Sequence, residues 1–336
     1  MSGIFVHGIG AVSPAGWGAP PLCDAIARGT PLPVEMLPRP GWNKKLAVRT
    51  VPLLAARPEF LSHPRLRRAG AMSQHTVAAA LEALGPDAAR VQAGTLRLGI
   101  IVCTMAGGVS YSRRFYEEVM QEPSTASPLI FPETVFNAPA SHLAAYLHSS
   151  GINYTLVGDE GSFLQGLALA AGWLEAGQAE ACVVVGAEEL DWVVADAARL
   201  FQRSVVSAGG AGALYLKRDS TAATVLSAIT DSFPYTKSQK QRAAAEKVRR
   251  QLGPVSADEW LCDSQTERSP WHDWPGPRLT PKAIVGEAFA ASAAWHCVIA
   301  CAAIAEQHAP SVCVSIVGAN QQAIGARFAR AGSSRE

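Results

Sequence analysis

The chain has 336 residues and a formal net charge of +1 at pH 7, and only 17% of its residues are charged, below the roughly 25% of an average globular protein. A charge balance this close to zero gives no electrostatic reason to bind nucleic acid or a membrane surface, and we expect neither partner. Hydrophobic residues make up 49% of the chain, enough for a large core in one α/β unit or in two fused halves.

Strands and helices are predicted to alternate along the whole chain, which favours a layered α/β fold of two fused halves, residues 1–218 and 219–336. The helical patterns cover residues 73–84, 163–176, 238–252 and 287–306. Residues 30–42 are rich in proline and predict a surface loop. The strand-like runs begin near Ile4, Arg97, Ile152, Ala181, Ala211, Thr224, Glu259 and Val312.

The seven cysteines are scattered singly, mostly inside apolar runs, and none has the spacing of a zinc site. We therefore predict buried free thiols in a reducing cytoplasm, with no metal and no other cofactor. The N-terminus predicts a strand and not a signal peptide. Residues 288–305 carry no formal charge, but the polar groups of Ser292 and His296 favour a core helix over a membrane span.

The most informative segment is residues 152–189, which predicts a strand, a tight turn, a small-residue helix and a strand that ends in Gly-Ala-Glu-Glu. Asp159 and Glu160 lie at the strand-to-helix elbow, above the N-terminus of the helix. Such an elbow suits a catalytic nucleophile, because the helix end lowers a thiol pKa and its free N–H groups can stabilise an oxyanion. Here the elbow holds carboxylates, which cannot act as a thiolate.

Five segments carry a resemblance to a known family. They are GIFVHGIGAVSPAG near the N-terminus, SPLIFPETVFNAPASHLAAYLHSSGINYTLVGDEGS and GQAEACVVVGAEE around the elbow, TPKAIVGEAFAASAA, and VGANQQAIGARF near the C-terminus. Together they resemble β-ketoacyl-acyl carrier protein synthases, the condensing-enzyme branch of the thiolase fold. The resemblance spans almost the whole chain and implies two fused halves in an αβαβα arrangement.

The resemblance also exposes three departures at the family's catalytic positions. Its nucleophilic cysteine falls on Glu160, and its two active-site histidines fall on Asp263 and Glu287, whereas its lysine is retained as Lys282. Decarboxylative condensation needs a thiolate to carry the acyl chain and imidazoles to polarise a thioester carbonyl. Carboxylates supply neither, so the resemblance implies a chain that is not catalytic in condensation.

Two interpretations of the acidic positions stay open. In the first, Glu160 is a structural plug that caps the helix N-terminus and pairs with Lys282. In the second, Glu160, Asp263 and Glu287 form a new site with Lys282, either through a raised carboxyl pKa and general-acid chemistry or by binding a hard divalent cation. His142 matches a family position within a helix and is predicted to be a packed core histidine.

The function that the resemblance implies is that of a chain-length factor, a silent ketosynthase-like subunit that forms a heterodimer with an active ketosynthase and works on substrates held by an acyl carrier protein. Type II polyketide or fatty-acid-like biosynthesis is the implied setting. The acid at position 160 differs from the glutamine usual in aromatic systems and favours a divergent branch such as the polyene-forming one. Four residues are implied to line the tunnel and the interface: Met105, Phe131, Thr134 and Phe136. The competing hypothesis is an independent enzyme that uses the acids for decarboxylation, hydrolysis or acyl transfer.

Overall fold

The computed structural model of the protein describes residues 3–201, 205–236, 238–265, 271–318 and 322–332. The helices are α1 (Ala19–Arg28), α2 (Ala71–Leu84), α3 (Asp87–Gln92), α4 (Val109–Gln121), α5 (Ala138–Tyr146), α6 (Ser162–Glu175), α7 (Trp192–Phe201), α8 (Ser238–Leu252), α9 (Pro281–Val285) and α10 (Phe289–Ala305). The strands before residue 218 are β1 (Phe5–Ser13), β2 (Gly16–Trp17), β3 (Glu35–Leu37), β4 (Leu46–Arg49), β5 (Leu98–Thr104), β6 (Asn153–Val157), β7 (Ala181–Glu188), β8 (Ser207–Ala208) and β9 (Gly210–Lys217). Those after it are β10 (Thr224–Ile229), β11 (Phe233–Pro234), β12 (Trp260–Asp263), β13 (Arg278–Leu279), β14 (Ser311–Val317) and β15 (Gln322–Arg330).

One large sheet runs through both predicted halves, in the order β13-β12-β14-β15-β10-β1-β9-β7-β5-β6. Strands β5, β6 and β7 are parallel to one another, and β9 joins β7 and β1 through antiparallel pairs. A short antiparallel pairing of β1 with β10 connects the two sets of strands. The predicted boundary between residues 218 and 219 falls in the connection from β9 to β10, and the division into two halves stays a prediction.

Helices cover both outer faces of the sheet, and two further helices lie between its two sets of strands. Helices α6 and α10 contact each other in a central core, where α10 touches strands β7 and β9 on one side and β14 and β15 on the other. Helices α2 and α5 enclose a second core with β5, β7 and β9, and α8 encloses a third with β14 and β15. Three cores separated by two sets of strands give the predicted α/β arrangement of five layers.

Small residues let the central helix lie directly on the strands. A Cβ atom added to Gly186 of β7 would lie 2.2 Å from the carbonyl oxygen of Ala290 in α10, so only glycine fits there. The side chains of α10 from Phe289 to Ile304 are all buried, which confirms the predicted core helix. Within the described ranges, no helix combines the length and apolarity needed to cross a bilayer.

The structure contains elements that the sequence did not predict, namely helices α1, α3, α4, α7 and α9 and strands β2, β3, β4, β8, β11 and β13. The prediction of a loop throughout residues 30–42 is wrong at Glu35–Leu37, because this stretch pairs with β4 as strand β3. Helix α4 was not predicted and none of its residues is buried, although its sequence is amphipathic at the helical period.

Candidate functional site

The strand-to-helix elbow lies between the end of β6 and the first residue of α6, where Glu160 is fully buried. The preceding Asp159 accepts a hydrogen bond from the Glu160 N–H, with Oδ1 at 2.8 Å, and its Oδ2 lies 3.4 Å from the Gln322 nitrogen. A Cβ atom on Gly318 would come within 1.9 Å of the same carboxylate, so the chain folds closely around it. The elbow N–H group that could stabilise an oxyanion is therefore already bound to an internal anion.

Lys282 joins two of the three acidic positions in a closed ion network. Its Nζ lies 2.7 Å from Oε2 of Glu160 and 2.5 Å from Oε2 of Glu287. The three side chains are between 1% and 5% exposed. Because α9 presents the lysine to the start of α6, residues 122 positions apart meet in the central layer. The predicted pairing of Glu160 with Lys282 is confirmed, whereas the predicted cap is wrong, because α6 has no side-chain cap hydrogen bond at its N-terminus.

Burial and charge together determine the protonation of this network. Burial raises the pKa of Glu160 well above its usual range, and the negative charge of Glu287 raises it further, against the attraction of Lys282. Burial disfavours the charged lysine, but attraction by Glu160 and Glu287 outweighs it and raises the Lys282 pKa. Two carboxylates share one ammonium group here, so a proton on Glu160 makes the network neutral. Lys282 also occupies the space between the two acids that a divalent cation would need.

The backbone and side chain of Glu287 are both fixed. Its N–H donates to the Val206 carbonyl at 2.9 Å, and its own carbonyl accepts from the Ala208 N–H at 2.7 Å. Its Oε1 accepts from the N–H of Phe289, the first residue of α10, at 2.8 Å. Phe289 has a φ of 42°, a left-handed conformation that is unfavourable for a side chain of this size. Glu287 thus caps the central helix as well as contacting Lys282.

Asp263 has a different cation from the other two acids. The structure places it at the end of β12, fully buried, and its Oδ2 lies 2.9 Å from Nη2 and 3.1 Å from Nε of Arg278. Its Oδ1 accepts from the Gln265 N–H at 2.9 Å. The structure therefore brings Glu160, Glu287 and Lys282 together, and it pairs the third acid with an arginine that the sequence did not indicate.

A buried histidine that sequence reasoning assigned only to the core lies beside this network. Burial lowers the pKa of His296 to about 4; the carbonyls of Ser292 and Asp263 act against this shift, and the charge of Lys282 adds to it. The His296 Nδ1 lies 2.6 Å from the backbone carbonyl oxygen of Ser292. The imidazole is therefore neutral at physiological pH. In the sequence, a single histidine within a run of small apolar residues could have indicated that this side chain is buried near the site.

The sequence from residue 58 to residue 222 matches the family model described as Beta-ketoacyl synthase, N-terminal domain. The chain is ketosynthase-like. No curated protein sequence matches it.

Solved structures resemble this ketosynthase-like chain over nearly its full length. One is a type II polyketide synthase acyl-carrier protein in complex with its ketosynthase bound to the hexaketide, at 15% identity, with a TM-score of 0.79 and coverage of 97% of this chain and 98% of that one. The ishigamide ketosynthase/chain length factor has 18% identity and a TM-score of 0.76, with 98% and 100% coverage. A β-ketoacyl synthase from Burkholderia phymatum STM815 has 14% identity and a TM-score of 0.78, also with 98% and 100% coverage. Identities this low establish the thiolase-like fold alone.

The residues predicted to line the tunnel lie in two segments that contact each other. The ring of Phe136 covers the turn that begins at Met105, and a Cβ atom on Gly107 would lie 2.7 Å from that ring. Thr134 donates a hydrogen bond from Oγ1 to the Phe131 carbonyl at 2.8 Å. Phe131 and Phe136 are 55% and 44% exposed. The two aromatic side chains are thus exposed on the surface of the single chain, beside the turn.

Two further predictions concern histidine and metal chemistry. His142 is only 12% exposed, and its Nε2 lies 2.6 Å from Oε1 of Glu133, so a carboxylate partner holds this largely buried ring. Among the residues that the structure describes, no group of three or more histidine, cysteine, aspartate or glutamate side chains is arranged to hold a metal ion.

Proposed function

We propose that the chain is a non-catalytic chain-length factor that pairs with an active ketosynthase and shapes the acyl tunnel of the pair, in type II polyketide or fatty-acid-like biosynthesis in the cytoplasm. The observation that carries this proposal is the closed network in which Lys282 is bound by Glu160 and Glu287. A buried ion network of this kind stabilises the elbow but provides no nucleophile for an acyl thioester.

Neither residue 160 nor Lys282 can perform its part of the condensation reaction. A carboxylate at position 160 cannot form the thioester on which chain extension depends. The N–H of this residue is bound to Asp159 and is not free to stabilise a developing oxyanion. The charge of Lys282 is satisfied by two acids, so it does not polarise a substrate carbonyl. These features support a structural role for the former catalytic centre.

The surface of the chain supports an obligate partner. Helix α4 buries none of its residues and exposes Tyr116 and Met120, and Leu129 and Phe131 are exposed in the segment that follows the helix. Strand β6 is the last in the order of the described sheet, and its Tyr154 exposes an aromatic side chain to solvent. Exposed large apolar side chains and a strand at the edge of the described sheet are features that a partner chain covers.

The similar structures support the choice of partners. One is a ketosynthase/chain length factor and another is an acyl-carrier protein in complex with its ketosynthase. We propose by analogy that this chain forms a heterodimer with a ketosynthase that retains its cysteine and histidines, and that an acyl carrier protein delivers the substrate to the pair.

Co-expression with candidate ketosynthases encoded beside this chain tests the proposal. We expect a 1:1 complex in size-exclusion chromatography, and elongation that needs both chains. After incubation with acyl-carrier protein, intact-mass spectrometry should show the acyl group on the ketosynthase and none on this chain. An acyl adduct on this chain, or full elongation by the ketosynthase alone, would contradict the proposal.

A second candidate function is an independent enzyme that uses Glu160 as a general acid. The raised pKa of Glu160 favours it, as does Oε1, which is buried and has no hydrogen-bond partner among the described residues. Decarboxylation and hydrolysis of malonyl and acyl thioesters by the purified chain alone would test this function. Turnover that Glu160→Gln abolishes, and that falls as pH rises through the pKa of this carboxyl, would favour the enzyme over the subunit.

A further inference from the structure

Three acidic side chains at the end of β7 converge on one short segment, residues 104–113. Glu188 is the last residue of the strand, and Glu189 and Asp191 follow it. All three are buried, with 1% to 7% of each residue exposed. We refer to Glu188, Glu189 and Asp191 together as the acidic clamp.

Glu188 binds the turn after β5 at three points. Its Oε1 accepts from the Met105 N–H at 2.5 Å, and its Oε2 accepts from the Ala106 N–H at 3.1 Å and from the Thr104 hydroxyl at 3.3 Å. A single buried carboxylate therefore satisfies two backbone donors that would otherwise be unpaired, and it fixes the path of the turn.

The other two acids bind the first turns of α4. Glu189 accepts from the N–H of Ser110 at 2.9 Å and from its hydroxyl at 2.5 Å. Asp191 lies 3.2 Å from Nη2 of Arg113. The residue before α4, Gly108, has no side chain with which to cap the helix, so acids from a neighbouring strand satisfy its N-terminus and oppose its partial positive charge.

The clamp matters because this part of the chain is held by polar contacts and not by a buried core; outside the clamp, these contacts include the bond from the Tyr111 hydroxyl to the Arg68 carbonyl at 2.6 Å. Helix α4 contributes no buried residue to any core, so hydrophobic packing does not determine its position. The turn bound by Glu188 touches the ring of Phe136 through Gly107. The ring of Phe115 in α4 lies 5.5 Å from that of Phe131. A movement of the turn would therefore displace Phe136, and a movement of the helix would displace Phe131.

We propose that Glu188 and Glu189 are positioning residues that set the depth of the acyl tunnel by fixing the turn at Met105 and the start of α4. The inference rests on the proposed function, since it assigns the clamp a role in product length. Neither glutamate touches the acyl chain in this account; Glu188 acts through the turn that contacts Phe136, and Glu189 acts through the helix that contacts Phe131.

The first test uses the chain alone and does not depend on its function. Hydrogen exchange is measured for the wild type, Glu188→Gln and Glu189→Gln. The matched control is Glu180→Gln, which alters a glutamate near the other end of β7 that accepts from the Arg97 N–H at 2.8 Å. We expect exchange at Met105 and Ala106 to rise at least tenfold in Glu188→Gln, with no such rise in the control. Unchanged exchange in both clamp variants would overturn the clamp.

The second test measures product length in the complex with the ketosynthase. Glu188→Gln and Glu189→Gln should change the ratio of longer to shorter products at least threefold, whereas Glu180→Gln should leave it unchanged. Glu188→Asp should restore part of the wild-type ratio, which a general loss of stability would not do. If Glu188→Gln does not fold, Ser110→Ala replaces it in the test. This substitution removes the hydroxyl contact with Glu189 at a half-buried site and should shift the product ratio in the same direction as Glu189→Gln.

The failures of the two proposals are distinguishable. If wild-type chain and ketosynthase do not elongate together, the proposed function fails, and the inference about length fails with it. If the complex is active and Phe136→Ala changes product length while the clamp variants raise exchange without changing length, the proposed function stands and the positioning role is overturned.

Discussion

Replacing Lys282 by methionine removes the only positive charge that the structure shows within bonding distance of Glu160 and Glu287 among the described residues. Methionine is close to lysine in length and shape, so the substitution removes charge with little change in volume. Two buried carboxyl groups then remain without a cation. Breaking a buried ion pair from one side costs about 3–5 kcal/mol, because an uncompensated charge is left behind.

The size of the loss should depend on pH with a definite sign. Burial and the charge of Glu287 raise the pKa of Glu160, and without the lysine no attraction opposes this rise, so the contribution of Glu160 is most favourable below its unfolded pKa and is lost as pH rises through the folded value. We expect the full loss of about 3–5 kcal/mol at pH 8 and a smaller one at pH 6. With an unfolding entropy of about 2 cal/mol/K per residue, the fall in Tm at pH 8 is about 4–7 °C.

Calorimetric unfolding of the wild type and Lys282→Met at pH 6 and pH 8 measures this effect. Lys217→Met is the matched control, because Lys217 pairs with Asp87 at a site where 16% of the lysine side chain is exposed. Asp87 there keeps Arg90 at 2.9 Å as a second cation, so we expect a loss of about 1 kcal/mol or less.

A loss for Lys282→Met no greater than that of the control, and equal at the two pH values, would refute the reasoning. It would mean that the two glutamates do not depend on the lysine for neutralisation. Adding Glu160→Gln and Glu287→Gln to Lys282→Met should recover most of the stability, because no charge is then left in the buried network.

Three further predictions concern single positions. Glu160→Gln should keep assembly and elongation by the ketosynthase pair within about threefold of wild type, since the remaining carboxylate still pairs with the lysine; a hundredfold loss of turnover in the intact complex would show that Glu160 takes part in chemistry. Phe131→Ala or Phe136→Ala should lengthen the products measured by mass spectrometry, because a rigid aromatic floor resists extra methylenes by about 1–3 kcal/mol; an unchanged distribution in both variants would argue against control of length by this segment. Asp159→Ala should lower the free energy of unfolding by about 1–3 kcal/mol in urea titrations, because the Glu160 N–H loses its acceptor, and an unchanged midpoint would show that this bond is not needed.

The elements predicted best from the sequence are those that begin or end at a recognisable start or stop signal. Helix α8 runs from Ser238 to Leu252 as predicted, because Gly253 and Pro254 form a clear stop signal. Helix α4 went unpredicted although its sequence is amphipathic, and β3 because prolines at either side of Glu35–Leu37 favour a loop.

The site was predictable only where a family motif supplied the missing geometry. The pairing of Glu160 with Lys282 joins residues far apart in sequence, and no local pattern could have indicated it without the resemblance. The partner of Asp263 was not foreseen, because Arg278 comes from a two-residue strand in a divergent stretch. The contacts of Glu188 were also missed, since a motif shows which residues recur and not which backbone groups they bind.

The isolation of α4 from the core has a consequence for how this protein can diverge. Tyr116 and Met120 are 64% and 67% exposed, so substituting either one removes little buried area and the thermodynamic cost to the monomer is small. Substitutions that alter which partner the chain binds can therefore accumulate on this helix without a compensating mutation elsewhere. Recoding these surface positions, with the clamp and α10 left untouched, is the route by which we expect the chain to be matched to a new ketosynthase in the laboratory.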